Sequence, residues 1–562
     1  MTARKTVPII LVVMLLAACG SVTESPASVA TAVEKEVVVT QVVEREVVIT
    51  KQVVVTPTPE PVPAESDEPV RGGTLVIAQA VEPFNFNSRI DPKMEGITAI
   101  AQIQEGLLDK DLETGETVAG LAETWTVSPD QTVYTFNLRK GVRFHDGTEF
   151  DSEDVLFTFE FLTGAREGSI YASQYGSMIE SIEAPDKYTF VVKLLTPWDD
   201  FESLLVNHWG SKILSKDAVE KAGDGYGTET GAVGTGPFMF DEWVKGDYVK
   251  IVRNPDYWNP ELPYLDAIVY KKVADAPVRL LNVMSGDADM AFQPPLDQIE
   301  LVTKNPGFSA ECAPGNPQVF LTFNTAVPPF DSQAVRQAMF YGLDRAALTA
   351  GAYGAYAQEA KDMFPGWNKN YDPNYPGVPY DPEKAKALLA AEGYTDSNPL
   401  SFDLCSLAES EYADLGVLIQ AQLAEIGVKL ELRPMESATL VAFRLTDDWK
   451  ADISRYILPS TITDDYMWKQ FGAKGSLNTS RYNQPGGYQN PEVEEMLLKA
   501  RISGPDEAYR LYRQVVDLLT EDAPRVRIAF KDNCQITGPA VRNLHVQGTD
   551  AFSMSRVWLD RD

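Results

Sequence analysis

The run Tyr134-Thr135-Phe136-Asn137-Leu138-Arg139-Lys140-Gly141-Val142-Arg143-Phe144-His145-Asp146-Gly147-Thr148 is the stretch that decides how this chain folds. Its first six residues alternate apolar and polar, so Tyr134, Phe136 and Leu138 share one face of a half-buried strand. Asp146-Gly147 is the pair a tight hairpin turn asks for, because glycine reaches φ > 0 without a Cβ clash. Shortly after it, Asp151-Ser152-Glu153-Asp154-Val155 reads as a helix start. His145, beside the turn, reads as a structural hydrogen-bonder rather than a ligand.

Working outward, the folded body begins at Arg71-Gly72-Gly73, and Thr74-Leu75-Val76-Ile77-Ala78 is its first strand. In the second half the period changes from strand-like to helical. Asp331 is the expected cap of a helix carrying Val335, Ala338 and Met339. Asp381 and Pro382 supply an N-cap and first turn, with Gly393 placed to stop that helix. Leu415, Leu418, Ile419, Leu423 and Ile426 fall at helical spacing up to Gly427, and Val428, Leu430 and Leu432 then alternate as a strand. Tyr509, Val515, Val516 and Leu519 mark a late helix. Strands alternating with amphipathic helices indicate an α/β protein with mixed sheets.

Upstream of the body the chain changes character. Arg4 and Lys5 precede an apolar stretch, Val7 to Ala18, too short to cross a hydrocarbon core of about 30 Å. That order reads as a secretory signal over residues 1–18. Leu16-Ala17-Ala18-Cys19-Gly20 resembles the bacterial lipobox, which implies a lipid on the Cys19 thiol. An anchor of two or three acyl chains is stable where one is marginal. Residues 19–71 then form a tether. A ten-residue near-repeat (Glu34-Lys35-Glu36-Val37-Val38-Val39-Thr40, then Glu44-Arg45-Glu46-Val47-Val48-Ile49-Thr50) leads into Pro57-Thr58-Pro59-Glu60-Pro61-Val62-Pro63, stiffened by its prolines. A stalk, or a self-associating strand or helix, both remain open for the repeat.

Composition narrows the function. A formal net charge of −32 over 562 residues excludes the basic footprint of a nucleic-acid binder. With 44% hydrophobic residues the chain can bury a large core in more than one lobe. Cys312, Cys405 and Cys534 remain after Cys19; one bridge, with Cys312–Cys534 preferred, and three separate thiols are both open. His145, His208 and His545 lack metal-ligand spacing, and no phosphate-cradling loop or nucleophile motif occurs. The expectation is therefore a binding protein with no cofactor and no metal, not an enzyme.

Four ordered motifs resemble the extracytoplasmic solute-binding proteins of ABC importers, family 5, which includes dipeptide-, oligopeptide- and nickel-binding proteins. They are Leu121-Ala122-Glu123-Thr124-Trp125 with the opening run; Gly234-Thr235-Gly236-Pro237-Phe238 with Arg253-Asn254-Pro255-Asp256-Tyr257-Trp258; Phe323-Asn324-Thr325 through Leu343-Asp344-Arg345; and Tyr380-Asp381-Pro382-Glu383-Lys384-Ala385. The resemblance implies a two-lobed periplasmic-binding-protein-like fold whose lobes close on a ligand in the cleft between them. Phe320–Thr325 and Val526–Phe530 look like the two hinge strands. One lobe is expected over 72–325 plus 528–562, with an inserted subdomain at about 110–230, and the other over 326–527. Implied partners are a peptide or oligosaccharide and ABC permease subunits with their ATPases. The membrane is met through the lipid, and the protein is expected to be a monomer.

In dipeptide-binding relatives an arginine and an aspartate clamp the two ends of the ligand. Here the first of those loops, Ser406-Leu407-Ala408-Glu409-Ser410-Glu411-Tyr412, holds no arginine. In the second, Arg455 to Tyr466, Ile462 stands where the amine-binding aspartate would be. The candidate ligand-binding residues that remain are Asn85, Trp367, Tyr456, Asp464, Asp465, Tyr466 and Trp468. Aromatic faces with a few directed polar groups suit an oligosaccharide or a peptide held through its backbone. A receptor that senses a signal peptide without importing it, and a lipid-anchored hydrolase, are the competing classes.

Overall fold

In the computed structural model, residues 37–43, 46–52 and 68–561 are described, apart from 84, 91–92, 112–113, 170–171, 177, 199–200, 208, 229–230, 316, 409, 458–462, 474, 476–477, 479–486 and 549–551. The signal segment, Cys19 and the proline-spaced run 57–63 lie outside the described residues. Residues 1–68 and 69–562 form two units. In the first, Val37–Val43 and Glu46–Gln52 pair antiparallel with Thr40 opposite Ile49, so one copy of the repeat lies along the other. A lone two-stranded ribbon of this kind is only marginally stable in water.

The second unit contains three large sheets. The opening run of sequence supplies Val133–Leu138 to a four-stranded sheet, in the order Ala122–Val127, Val133–Leu138, Thr189–Leu194, Ile179–Asp186. Tyr134, Phe136 and Leu138 are buried together against Phe150, Val155 and Phe159. Gly147 adopts φ 87° at the expected turn, and Asp151 opens the helix Ser152–Thr163 through a reciprocal capping box with Asp154. The expected cap at Asp331 is corrected by one residue. Ser332 caps Gln333–Tyr341, and the Asp331 carboxylate instead accepts from the Ser332 amide at 3.1 Å. Both residue types cap well, so local chemistry leaves the choice between neighbours open.

Two groups grip the Gly234-Thr235-Gly236 turn. The His145 ring accepts from the Gly234 amide through Nδ1 at 3.3 Å and donates from Nε2 to the Gly236 carbonyl at 2.9 Å. Burial drives its pKa down to about 4, which suits this neutral tautomer. Glu105 accepts from the Thr235 hydroxyl at 2.7 Å, from the Tyr257 hydroxyl at 2.8 Å and from the Trp258 indole at 3.1 Å. Burial pushes its pKa up to about 7, against those hydrogen bonds. A Cβ at Gly234 would meet the Ile103 carbonyl at 2.0 Å, so only glycine fits.

The remaining two sheets make the lobes. A seven-stranded sheet runs Phe238–Val244, Tyr248–Arg253, Ala267–Lys272, Thr74–Gln79, Met290–Phe292, Asn533–Thr537, Ser309–Ala313. A six-stranded sheet runs Ala357–Glu359, Arg525–Lys531, Pro317–Phe323, Ala451–Ile457, Ser401–Leu407, Lys429–Met435. The chain passes between them twice, after Ala313 and after Lys531. Both expected hinge strands therefore fall within the six-stranded sheet, and the divisions expected at 325/326 and 527/528 cut through or beside its strands. The buried strands 317–323 and 525–531 are neighbours inside the six-stranded sheet, and nothing local in them names the sheet they join. Cys312 and Cys534, opposite each other on neighbouring strands, form a disulfide one residue inside each crossover. Cys405 is buried and unbridged. No helix among the described residues is long and apolar enough to cross a membrane.

Candidate functional site

Strand direction locates the cleft. Met290–Phe292 runs parallel to Thr74–Gln79 and antiparallel to Asn533–Thr537. The carboxyl ends of the first two thus lie where the chain crosses, at Ala313 and Asn533. In the other lobe Pro317 pairs with Ile457, and Ser401–Leu407 runs parallel to Ala451–Ile457. Their carboxyl ends lie at the crossover end as well. Ligand sites in open α/β sheets form outside such ends, where strand order switches.

The lobe-one edge is rich in carboxamides. The Gln293 amide donates to the Gln535 side chain at 3.3 Å, which donates to Asn533 at 2.9 Å, which donates to the Gln547 carbonyl at 2.8 Å. Gln79 is buried at the end of its strand. Carboxamides both donate and accept, so this edge can meet either end of an amide or a hydroxyl. Glu82 is held by Lys272 at 3.2 Å, the Trp243 indole at 3.1 Å and the Gly246 amide at 2.7 Å.

The lobe-two edge is charged. Lys531, at the second crossover, pairs with Glu411 at 2.5 Å. Burial pushes the Glu411 carboxyl up, but Lys531 and Arg455 outweigh it and hold the group below its usual range. Arg455 is exposed near the end of its strand, its guanidinium 6.0 Å from the Tyr412 ring. Elsewhere in lobe two, Arg501 grips Asp464 with Nε at 3.1 and 2.9 Å from the two carboxylate oxygens, and lies 4.8 Å over Trp468.

This frame matches a known family. The family model described as "Bacterial extracellular solute-binding proteins, family 5 Middle" matches residues 116–478. The glutathione-binding protein GsiB of Escherichia coli (strain K12) is 32% identical over 464 residues, covering 80% of this chain and 86% of the relative. The chain belongs to the family 5 solute-binding proteins of ABC importers. Its two-lobed fold is shared with solved structures. The DppA protein of Helicobacter pylori, in complex with peptide STSA, superposes with a TM-score of 0.77 at 26% identity, covering 88% of this chain and 99% of that one. The Bacillus subtilis oligopeptide-binding protein AppA, in complex with a nonapeptide, gives 0.76 at 24% identity, covering 88% and 100%.

The solute-binding protein scatters its sequence-predicted ligand residues. Tyr466 is buried and donates to Gln318 at 2.6 Å, so it is a core group of lobe two. Trp367 packs on the same core and donates to the Gly315 carbonyl at 2.9 Å, tying its loop to the first crossover. Asn85 is buried and accepts from the Asn87 amide at 2.8 Å, shaping its own loop. Tyr456 is half-buried, its ring 5.7 Å from that of Tyr466. Asp464 and Trp468 come together around Arg501. The Asp465 side chain and residues 458–462 lie outside the described residues. Sequence reading passed over Arg455, Glu411 and Lys531. The signal for Arg455 was present: it shares the face of Ala451 and Ile453, which are core, and breaks their apolar pattern near the strand end.

Proposed function

We propose that this protein captures a short peptide by closing its lobes and hands it to an ABC permease for import, held at the outer membrane face by a lipid on Cys19. The observation that carries the peptide reading is Arg455, exposed at the lobe-two carboxyl edge beside the Glu411–Lys531 pair. A guanidinium there suits a ligand carboxylate, and Glu411 supplies the opposite sign for an amine. The carboxamide edge of lobe one can serve the peptide bonds between them. The glutathione-binding relative supports the same class, since glutathione is a small peptide with both charges. An oligosaccharide would want open aromatic faces, whereas Tyr466 and Trp367 are taken up by lobe two and the crossover. Tyr456, Asp464 and Trp468 remain candidates for ligand contact. In this reading the chain catalyses nothing; differential affinity for the closed state does the work.

Thermal-shift measurement against glutathione, dipeptides to tetrapeptides, and oligosaccharides tests it, because a ligand stabilises by RT ln(1 + [L]/Kd). Peptides should raise the transition, and Arg455→Ala should weaken them at least tenfold. Shifts with oligosaccharides alone would sink the peptide reading.

A further inference from the structure

We propose that the Cys312–Cys534 bridge is a redox-sensitive staple of the hinge, opened at Cys312 by an extracytoplasmic dithiol, so that the stiffness of the hinge follows the redox state around the protein. The proposal rests on the two-lobed fold and is independent of which ligand the cleft takes.

The two crossings run side by side as one antiparallel ribbon from sheet to sheet. At its lobe-one end Cys312 stands opposite Cys534, and at its lobe-two end Gln318 stands opposite Phe530. Between them the Gly315 amide donates to the Asp532 carboxylate at 3.0 Å. The crossings approach so closely there that a Cβ on Gly315 would meet the Lys531 carbonyl at 2.7 Å. Lobe two holds this middle rung from its own side. The Trp367 indole donates to the Gly315 carbonyl at 2.9 Å, and the Asp532 amide donates to the Tyr356 carbonyl at 2.9 Å. Lobe one holds the ribbon through the disulfide. Hinge motion is therefore taken up between the bridge and the Gly315–Asp532 rung, over a few residues. While the bridge is closed the ribbon can bend and twist there, but its two strands cannot slide past each other.

The bridge is placed to be opened from outside. Ser309–Ala313 is the outermost strand of its sheet, and Cys312 is exposed whereas Cys534 is buried. An incoming thiolate therefore attacks the Cys312 sulfur and displaces Cys534 as a thiolate. The second thiol of the dithiol then attacks the first, which closes a disulfide within the reductant and releases Cys312. Two electrons and two protons have passed to the cysteines, and the reductant leaves oxidised. The backbone pairs from Ser309–Thr537 to Ala313–Asn533 outlast the exchange, so the sheet survives it. What remains is an edge strand held by hydrogen bonds alone, which opens locally more readily than a covalently joined one. The ribbon gains a sliding freedom that lobe closure must remove again, so capture of a ligand weakens.

The test compares three forms of the full-length chain: oxidised, reduced by dithiothreitol without denaturant, and carrying Cys312→Ala with Cys534→Ala. Alkylation read by mass spectrometry should label Cys312 in the folded, reduced chain and leave the buried Cys405 unlabelled. A bridge that opens only after urea has unfolded the body overturns the proposal. Hydrogen exchange, read without ligand, should speed at least tenfold at residues 309–315 in the reduced chain and in the variant. At Ser401–Leu407, inside lobe two, it should change less than twofold. Equal exchange in all three forms overturns the staple. Equal acceleration at both places overturns it as well, because that marks lost stability and not a looser hinge. Calorimetry with trialanine then reads capture, which should be at least threefold weaker in the reduced chain and in the variant. Unchanged affinity beside a loosened hinge overturns the effect on capture. An oxidised chain that binds no peptide overturns the peptide reading, while hydrogen exchange still decides the staple.

Discussion

Replacing Cys312 and Cys534 together by alanine should lower the stability of the folded body by about 5 kcal/mol. The bridge joins residues 222 apart in sequence, and closing a loop of that length in the unfolded chain removes entropy worth about 5 kcal/mol at 25 °C. Loss of the buried Cys534 sulfur from its apolar cluster adds a smaller term, on the order of 1 kcal/mol. The backbone pairing of the two strands survives the change, since Glu311–Gln535 and Ala313–Asn533 flank the bridge. The fold and the lobe order should therefore persist. Urea denaturation followed by tryptophan fluorescence reads the difference, with reductant added to the wild type as a second arm. Cys312 is exposed, so a thiol reagent can reach the bridge. Reduced wild type, which keeps the sulfur, should lie within about 1 kcal/mol of the double variant, and reductant should leave that variant unchanged. A loss below 1 kcal/mol in both arms would refute the loop-closure reasoning, and would mean that the unfolded chain already holds these strands together.

Arg501→Ala removes the guanidinium from the Asp464 carboxylate, 9% exposed, and should cost about 3–5 kcal/mol in denaturant unfolding. Adding Asp464→Ala should recover most of that loss; no recovery would show that the pair is not the cause. The pH profile of Glu105→Gln separates two opposed titrations. His145, with its folded pKa lowered to about 4, stabilises above the unfolded value near 6.5, and that contribution is lost as pH falls towards 4. Glu105, raised to about 7, stabilises below the unfolded value near 4.5, and that contribution is lost as pH rises through 7. Relative to the wild type, Glu105→Gln should gain up to about 3 kcal/mol as pH rises from 4.5 to 6.5, because the mutation removes the Glu105 term and leaves the others in place. Identical profiles would exclude the Glu105 titration. Cys19→Ala should move the protein from the detergent phase to the aqueous phase on phase partition; continued detergent partition would exclude the lipid anchor.

Periodicity and turn chemistry in the sequence determined the elements. The alternation of Tyr134, Phe136 and Leu138, the glycine of Asp146-Gly147, the cap at Asp381 and the stops at Gly393 and Gly427 all appear at or within a residue of where they were read. They are local, since each depends on the backbone within a few residues of itself, and so did the ordered motifs that marked the family. Which sheet an apolar strand such as 317–323 joins was not legible, because such a strand satisfies either sheet equally. Only its pairing with Arg525–Lys531 and Ala451–Ile457 assigns it. Part of the candidate site turns on the same kind of long-range pairing. Tyr466 and Trp367 are engaged by distant partners, Gln318 and Gly315. Arg455, Glu411 and Lys531 come from three separate segments, and their meeting is set by strand order. Sequence specifies which residues want burial or a partner. Which partner each one finds is a long-range choice, made only when the sheets have paired.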